Sequence, residues 1–446
     1  MIWRILFLAA LLCASAATAG ATTHWVMPDG SGDFPTIQAA LSAAAPGDTV
    51  LLGDGLFVGD GNRDLDFGGQ AIVLRSLSAD PQVCRIDAEG SESDPHRVFD
   101  FVSGEGRETV VEAITLSGGY ADGECCEELT GGAVYCFASS PTFRDCIVAD
   151  NYAVTSGGAM ICAAEAQPRI EACWFTRNTA ANGGALMCGG YSIPEIVDCT
   201  FFDNGATTAP GKGGAIHAKL YADPWIAGCT FFGNSASHGS QIYLSDWADP
   251  LLERSILAYG LSAEAVYTTE DCNPVFLCCD IYGNEGGDWT EGIADQLGVN
   301  GNISAAPLFC DPSESDLHLH TDSPCLPGAA PECGLIGAWP IGCPATGVPA
   351  DVASANLRLR LAPNPTTAGA RLSYVIPGTQ QRTVVWELLD AAGRRLQSRW
   401  LARQSPGTQR IDWDGDDAGR PLPSGLYYHR LRVGPWVRTI PAIILR

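Results

Sequence analysis

The sequence predicts an all-β chain, a parallel β-helix followed by a small domain of opposite charge, and three observations carry that reading. A composite motif recurs at intervals of 24 to 30 residues between residues 105 and 290. Each period holds only short alternating apolar runs broken by Gly, Pro, Asn or Asp, with no 3.6-residue periodicity long enough for a helix. The charge then changes sign: residues 1–353 carry a formal −33, residues 354–446 a formal +8, within a net −25. Such a reversal marks a domain boundary near residue 350.

The repeat has two alternating signatures. Gly-Gly-Ala starts at Gly131, Gly157, Gly183 and Gly213, and a degenerate copy, Gly239-Ser240-Gln241-Ile242, follows. Between these stands a proline (Pro141, Pro168, Pro194, Pro224, Pro250, Pro274), then an apolar residue (Phe143, Ile170, Ile196, Ile226, Leu252, Phe276). A cysteine comes next, at Cys146, Cys173, Cys199, Cys229 and Cys279, with Ser255 in the fifth copy. A second apolar residue (Val148, Phe175, Phe201, Phe231, Leu257, Ile281) precedes asparagine at Asn151, Asn178, Asn204, Asn234 and Asn284, with Gly260 in the fifth copy. Periods of this size mean a solenoid, a propeller or an array, and a propeller blade needs roughly 40 residues or more. A period of 26 accommodates two or three short strands with turns, which is one coil of a parallel β-helix.

Coils stack at about 4.8 Å, so each residue lies over its copy one period later. Val134, Met160, Leu186, Ile216 and Ile242 are expected to form one inward ladder, with Cys136, Cys162, Cys188, Ala218 and Leu244 at the same parity. The asparagines read as stacked amides satisfying one another at a buried turn, where an unmet group costs roughly 1–3 kcal/mol. The cysteine column reads as small apolar core, although a rung spacing of about 4.8 Å also permits vertical disulfides. One thiol per coil does not make the short-range clusters of a metal site.

The ends differ from the body. Arg4, the apolar run from Ile5 to Leu12 and Ala17-Thr18-Ala19 read as a signal peptide over 1–19. Without Cys13, 17 of the 18 cysteines remain, so at least one thiol stays unpaired within the chain. Residues 36–45 are expected to form a short cap helix, with Pro35 early and Gly47 after its end. Strands follow at Asp48-Thr49-Val50-Leu51-Leu52 and Ala71-Ile72-Val73-Leu74. No segment after the signal is apolar over 18 residues, so no transmembrane helix is expected. The acidic body disfavours nucleic acid.

These repeats resemble the right-handed β-helix, pectin-lyase-like superfamily. Gly-Gly-Ala followed by Phe175-x-x-Asn178, Phe201-x-x-Asn204 and Phe231-x-x-Asn234 is similar to the repeat of chlamydial polymorphic outer membrane proteins, which are surface adhesins. Asp29-Gly30-Ser31-Gly32-Asp33-Phe34-Pro35-Thr36-Ile37-Gln38-Ala39-Ala40 resembles the opening of pectinesterases and of many uncharacterised β-helix proteins. The stretch from Ala306-Pro307-Leu308-Phe309 through Leu317-His318-Leu319 to Ser323-Pro324-Cys325 resembles the closing segment of such helices, with Gly334 to Ala338 ending the body. Residues near 354–446 resemble the immunoglobulin-like domain of hook-capping proteins and of type IX secretion sorting tails. That resemblance rests on Pro363-Asn364-Pro365, Leu388 to Arg394, Trp413 to Arg420 and Ser424-Gly425-Leu426-Tyr427-Tyr428. The implied organisation is signal peptide 1–19, right-handed parallel β-helix 20–345 with an N-terminal cap, linker 346–357, and an Ig-like sorting or anchoring sandwich 358–446. Export to the medium or to the outer face of the outer membrane is the implied location.

The enzymes of this superfamily offer tests. Pectinesterase motifs (Gln-Asp-Thr-Leu, Leu-Gly-Arg-Pro-Trp) are absent, and of the polygalacturonase motifs only Ser237-His238-Gly239 has a counterpart, at a corner of the repeat. A pectate lyase needs an acidic Ca²⁺ cluster beside a base. Asp223, Asp249, Glu253, Arg254 and Asp280 are the candidates for it. Ca²⁺ at the Asp414–Asp417 loop competes with a plain hairpin turn, since EF-hand spacing is absent. A second column, Tyr135, Ile161, Met187, His217 and Tyr243, has outward parity. Exposed, it would be a binding stripe; the 120–130 or 205–212 loops would otherwise cover it. The expected function is non-catalytic adhesion to a glycan or surface protein, with export and anchoring through the C-terminal domain. The alternatives are a polysaccharide lyase or hydrolase and a structural surface component. No cofactor is expected beyond the Ca²⁺ candidates.

Overall fold

A computed structural model describes residues 20–123, 128–208, 210–343, 359–367, 369–376, 382–390, 395–405, 407–417, 420–433 and 436–446. The signal segment, the linker 346–357 and Cys125-Cys126 lie outside them. The first strand, Thr23–Val26, pairs in parallel with Thr49–Leu52. Between them runs the cap helix, Ile37–Ala43, whose N-cap Thr36 accepts the Ala39 N–H on its side chain. Ile37, Ala40 and Leu41 turn into the core and close the open end of the first coil. The sequence reading starts the strands at Asp48; the structure adds Thr23–Val26, whose single buried residue, Val26, gives little apolar signal.

The body is a right-handed parallel β-helix. Face A has ten strands, from Thr23–Val26 to Val275–Leu277; face B has nine, from Gly55–Phe57 to Asp280–Tyr282; face C has seven, from Phe99–Phe101 to Val266–Thr268. The expected registers hold. Val134, Met160, Leu186, Ile216 and Ile242 are consecutive partners on face C. Phe143 to Phe276 run down face A and Val148 to Ile281 down face B. All are buried in one continuous core. Phe175, Phe201 and Phe231 stack ring on ring at 5.0 and 4.6 Å. The glycine pair is dictated by the corner: Gly157 has φ +65°, and a Cβ on Gly158 would lie 2.3 Å from the Gly184 carbonyl oxygen.

The asparagine column forms a hydrogen-bonded amide chain. Asn151 Nδ2 donates to Asn178 Oδ1 at 2.9 Å, Asn178 to Asn204 at 3.0 Å, and Asn204 to Asn234 at 3.0 Å. Gly260 interrupts the column, and Gln241 bridges the gap. It accepts from Asn234 Nδ2 at 2.7 Å, and its Nε2 donates to Asn284 Oδ1 at 3.1 Å. Gln241 stands where the other coils have alanine, and a Cβ on Gly260 would lie 2.8 Å from Gln241 Nε2 and 2.1 Å from Ser240 Oγ. The degenerate triplet and the missing asparagine are therefore one compensated substitution.

The cysteine column is buried thiol, as are Cys84, Cys136, Cys162, Cys188, Cys272 and Cys325; no vertical disulfide forms among the described residues. Burial pushes Cys279 and Cys84 up to about 12, and raises Cys146, Cys173 and Cys199 well above the ordinary thiol value. All eleven of these thiols are buried away from reagent, so at pH 8 the native protein will label none of them within hours, and unfolding will label all of them. Mass spectrometry after alkylation reads this, and labelling of Cys173 or Cys199 in the native state would contradict it. The adjacent pair divides its roles: Cys279 joins the inward column, and Cys278, at a corner, bonds Cys333.

Residues 288–303 close the far end of the solenoid, with Trp289 against Phe276 and Ile293 in the core. The stretches expected to close it, 306–325 and 334–338, instead belong to a segment, 304–343, that folds back along the outer surface of face B. Its Phe309, Leu317, Leu319 and Ile336 pack on Phe232, Ile256 and Ala258. Trp339 Nε1 donates to Thr200 Oγ1 at 2.8 Å, Ala338 N to Thr230 Oγ1 at 2.9 Å, and Gly337 N to the Arg254 carbonyl at 2.7 Å. Cys278–Cys333 and Cys310–Cys343 fasten this strap. It lies on the flank because face B, unlike a fully solvated sheet, presents Trp174, Phe202, Phe232 and Ile256 outward as well as Phe201 and Phe231 inward.

Beyond residue 358 stand two antiparallel sheets. One comprises Leu359–Ala362, Ala370–Ile376 and Gly407–Trp413; the other comprises Arg395–Gln404, Arg382–Leu389, Gly425–Val433 and Trp436–Ile444. They enclose one core around Tyr374, Trp386 and Trp413, an arrangement consistent with an Ig-like sandwich. His429 lies inside it, accepting from Trp386 Nε1 at 2.9 Å and held neutral by burial, which pulls it down to about 4. Asp416–Asp417 pairs with Arg420–Pro421 as a hairpin, and Arg446 Nη2 takes the Gly415 carbonyl at 2.8 Å.

Candidate functional site

The proposed lyase residues do not converge. Asp223 and Asp249 occupy the residue before proline at the corner between faces C and A. Asp223 Oδ1 accepts the Asp249 N–H at 2.7 Å, and Asp249 Oδ1 accepts the Asn273 N–H at 2.5 Å. Ser140 Oγ does the same for Gln167 at 3.0 Å, which makes this a turn-capping position. Glu253 is outward on face A and accepts from Trp225 Nε1 at 3.2 Å. Arg254 sits at the next corner, with φ +46°. Glu253 and Arg254 line a shallow cleft with Leu277, Glu332 and the Cys278–Cys333 bridge. Asp280 is elsewhere, on face B beneath the strap and fully buried. It accepts from Ala305 N at 3.0 Å and from Cys325 Sγ at 3.1 Å, and burial pushes it up to about 7. Among the described residues no group of three or more His, Cys, Asp or Glu is arranged to hold a metal. His238 lies at a corner, 4.0 Å from Glu264.

Of the two outcomes open to the outward column on face C, an exposed binding stripe or a covered one, the structure has the covered one. Tyr135, Met187, His217 and Tyr243 are only 3–7% exposed, and Ile161 is half-buried. The loop ends supply the cover. Arg97, held by the Thr130 and Gly131 carbonyls, lies over Tyr135 at 5.1 Å; Lys212 lies over Tyr243 at 5.1 Å. His217 stacks edge-on against Tyr243, and burial, with Lys219 and Lys212 nearby, pulls it down to about 3. It is a neutral packing residue at physiological pH.

The exposed aromatic surface is one corner further on. Tyr191, Tyr221 and Trp247 are 59%, 42% and 52% exposed. Their rings stack in parallel at 5.0 and 5.2 Å, with interplanar angles of 2° and 7°. Tyr221 has a neighbour on both faces; Tyr191 and Trp247 each keep an open outer face. Ile193 and Leu220 extend the apolar edge, at 44% and 47% exposure. Tyr191, Leu220, Tyr221, Asp246 and Trp247 all hold φ between +54° and +60°, a left-handed conformation that bulky residues adopt at a cost of about 1–3 kcal/mol each. The spacing carries a signal that the repeat reading passes over. The three aromatics recur at intervals of 30 and 26, the same as Gly183, Gly213 and Gly239.

A family model described as right handed beta helix region matches residues 132–303, the coils that carry both aromatic columns. No curated protein matches the chain. Among the described residues no helix is long and apolar enough to cross a membrane.

Proposed function

We propose that this right-handed β-helix repeat protein is a non-catalytic, surface-displayed binding protein, and that its contact surface is the corner ladder of Tyr191, Tyr221 and Trp247. The observation that carries the reading is the ladder itself: three large rings, stacked, left in water and held in costly backbone conformations. Contiguous exposed apolar surface of this kind marks interaction sites, and Tyr and Trp lead the residues that dominate binding energy. The dispersal of Asp223, Asp249, Glu253, Arg254 and Asp280 supports binding over acid–base chemistry. The signal-like residues 1–19 and the sorting-tail resemblance near 354–446 favour export and anchoring at the cell surface, with the solenoid projecting the corner outward.

The test is adhesion of the purified chain to a glycan array and to immobilised surface proteins, beside an unsaturated-uronate release assay on acidic polysaccharides. The wild type is expected to bind, and Tyr191→Ser/Tyr221→Ser/Trp247→Ala to lose most of that binding while keeping its melting temperature. Uronate release abolished by Arg254→Ala would replace this reading with a lyase. Silence in every arm would leave a structural surface component.

A further inference from the structure

Two outward rings on face C are capped by cations of the chain itself, Arg97 on Tyr135 and Lys212 on Tyr243. The corner ladder is built the other way. Among the described residues no cation lies over Tyr191, Tyr221 or Trp247, and carboxylates bracket them instead. The register follows from corner hydrogen bonds: Glu165 N to Gly190 O, Tyr191 N to Leu220 O, and Tyr221 N to Asp246 O. It places Glu165 one coil before Tyr191. Past Trp247 the corner bond is not repeated: residues 269–272 form a turn, with Cys272 N on the Thr269 carbonyl and the Thr269 hydroxyl on the Asp271 carboxylate, and the flanking pairings Tyr243↔Tyr267 and Asn273 N to Asp249 count Asp271 opposite Trp247. Asp223, Asp246, Asp249 and Glu270 line the same edge. None of these six carboxylates has an ion-pair partner among the described residues, whereas Asp150, Glu171 and Glu195 on other faces do.

The face of an aromatic ring is the negative pole of its quadrupole. A carboxylate does not cover such a face, so the outer faces of Tyr191 and Trp247 stay open beside acid. Ring face and carboxylate both favour positive charge. A planar guanidinium meets both at once, stacking on the ring while its N–H fork engages the carboxylate; an ammonium does this less well. Resting on the reading that this corner is the contact surface, we propose that its occupant is an arginine-bearing surface of a partner protein. One guanidinium stacks on Tyr191 beside Glu165, and another on Trp247 beside Asp271.

Calorimetric titration of the full chain with nona-arginine, nona-lysine and cellohexaose tests this. Nona-arginine is expected to bind at least about fivefold tighter than nona-lysine, a margin set by guanidinium stacking. Tyr191→Ala/Trp247→Ala should erase that margin, and Glu165→Gln/Asp271→Asn should weaken both peptides. All four side chains lie at the surface corner, and melting temperatures check that the variants fold. Equal binding of the two peptides, or an arginine preference that survives the double aromatic variant, would reduce the effect to the net charge of the body and overturn the proposal. Binding of cellohexaose that disappears in the aromatic variant, with no arginine preference, would overturn it too, yet leave the corner as the contact surface.

Discussion

Gln241→Ala will destabilise the solenoid by about 3 kcal/mol, a sum of one cavity and one orphaned buried amide N–H. Gln241 is fully buried and links Asn234 to Asn284 across the coil that lacks an asparagine. Without it, one N–H of Asn234 has no acceptor, and the space over Gly260 empties. Gly260→Asn alone should be worse, because its Cβ would fall 2.1 Å from Ser240 Oγ. The triple change Ser240→Gly/Gln241→Ala/Gly260→Asn restores the consensus at all three places and is expected within about 1 kcal/mol of wild type, since contacting residues couple strongly. Urea unfolding of the wild type and the three variants measures it. A triple variant no more stable than the worst single would show that these residues do not compensate one another.

Asp280→Asn will stabilise the protein, and only above acid pH. The folded pKa of about 7 exceeds the ordinary 3.8, because burial beneath the strap disfavours the carboxylate. Such a group contributes its full stability below the unfolded pKa and loses it as pH rises to the folded one. Between about pH 4 and pH 7 the wild type should therefore lose on the order of 3–4 kcal/mol through this one residue, at 1.36 kcal/mol per unit. Asparagine keeps an acceptor for Ala305 N–H and a donor for the Cys325 sulfur, and never ionises. The melting curves of the two proteins should coincide near pH 4 and separate by several degrees at pH 8. A constant offset across that range would show that Asp280 does not titrate inside the fold.

The ladders were legible in the sequence because a solenoid converts spacing into position. Once Gly157, Gly183 and Gly213 are aligned, the depth of Ile170, Ile196 and Ile226 follows from parity alone. The same logic left Tyr135 and Tyr243 undecided between an open stripe and a covered one. Parity tells which way a side chain points, not what Arg97 and Lys212 bring over it from flanking loops. The strap was legible as a segment and not as a location, because residues 304–343 have no repeat to place them and the outward Phe202 and Phe232 look, in sequence, like ordinary core. Tyr191, Tyr221 and Trp247 escaped notice since they sit in turns, where apolar side chains are read as incidental. The proposed acidic cluster failed because proximity in a coil diagram ignores which carboxylates, such as Asp223 and Asp249, are already committed to backbone amides.

A stack of coils touching only their neighbours ordinarily frays from its ends, one turn at a time. The strap changes that over part of the length. Trp339, Ala338, Gly337 and Cys333 fasten in turn to Thr200, Thr230, Arg254 and Cys278, which belong to four successive coils. Like a batten nailed across planks, it obliges those four to part together. Unravelling under tension should then run inward from the cap-helix end and halt near Thr200, leaving those four coils as a single mechanical block.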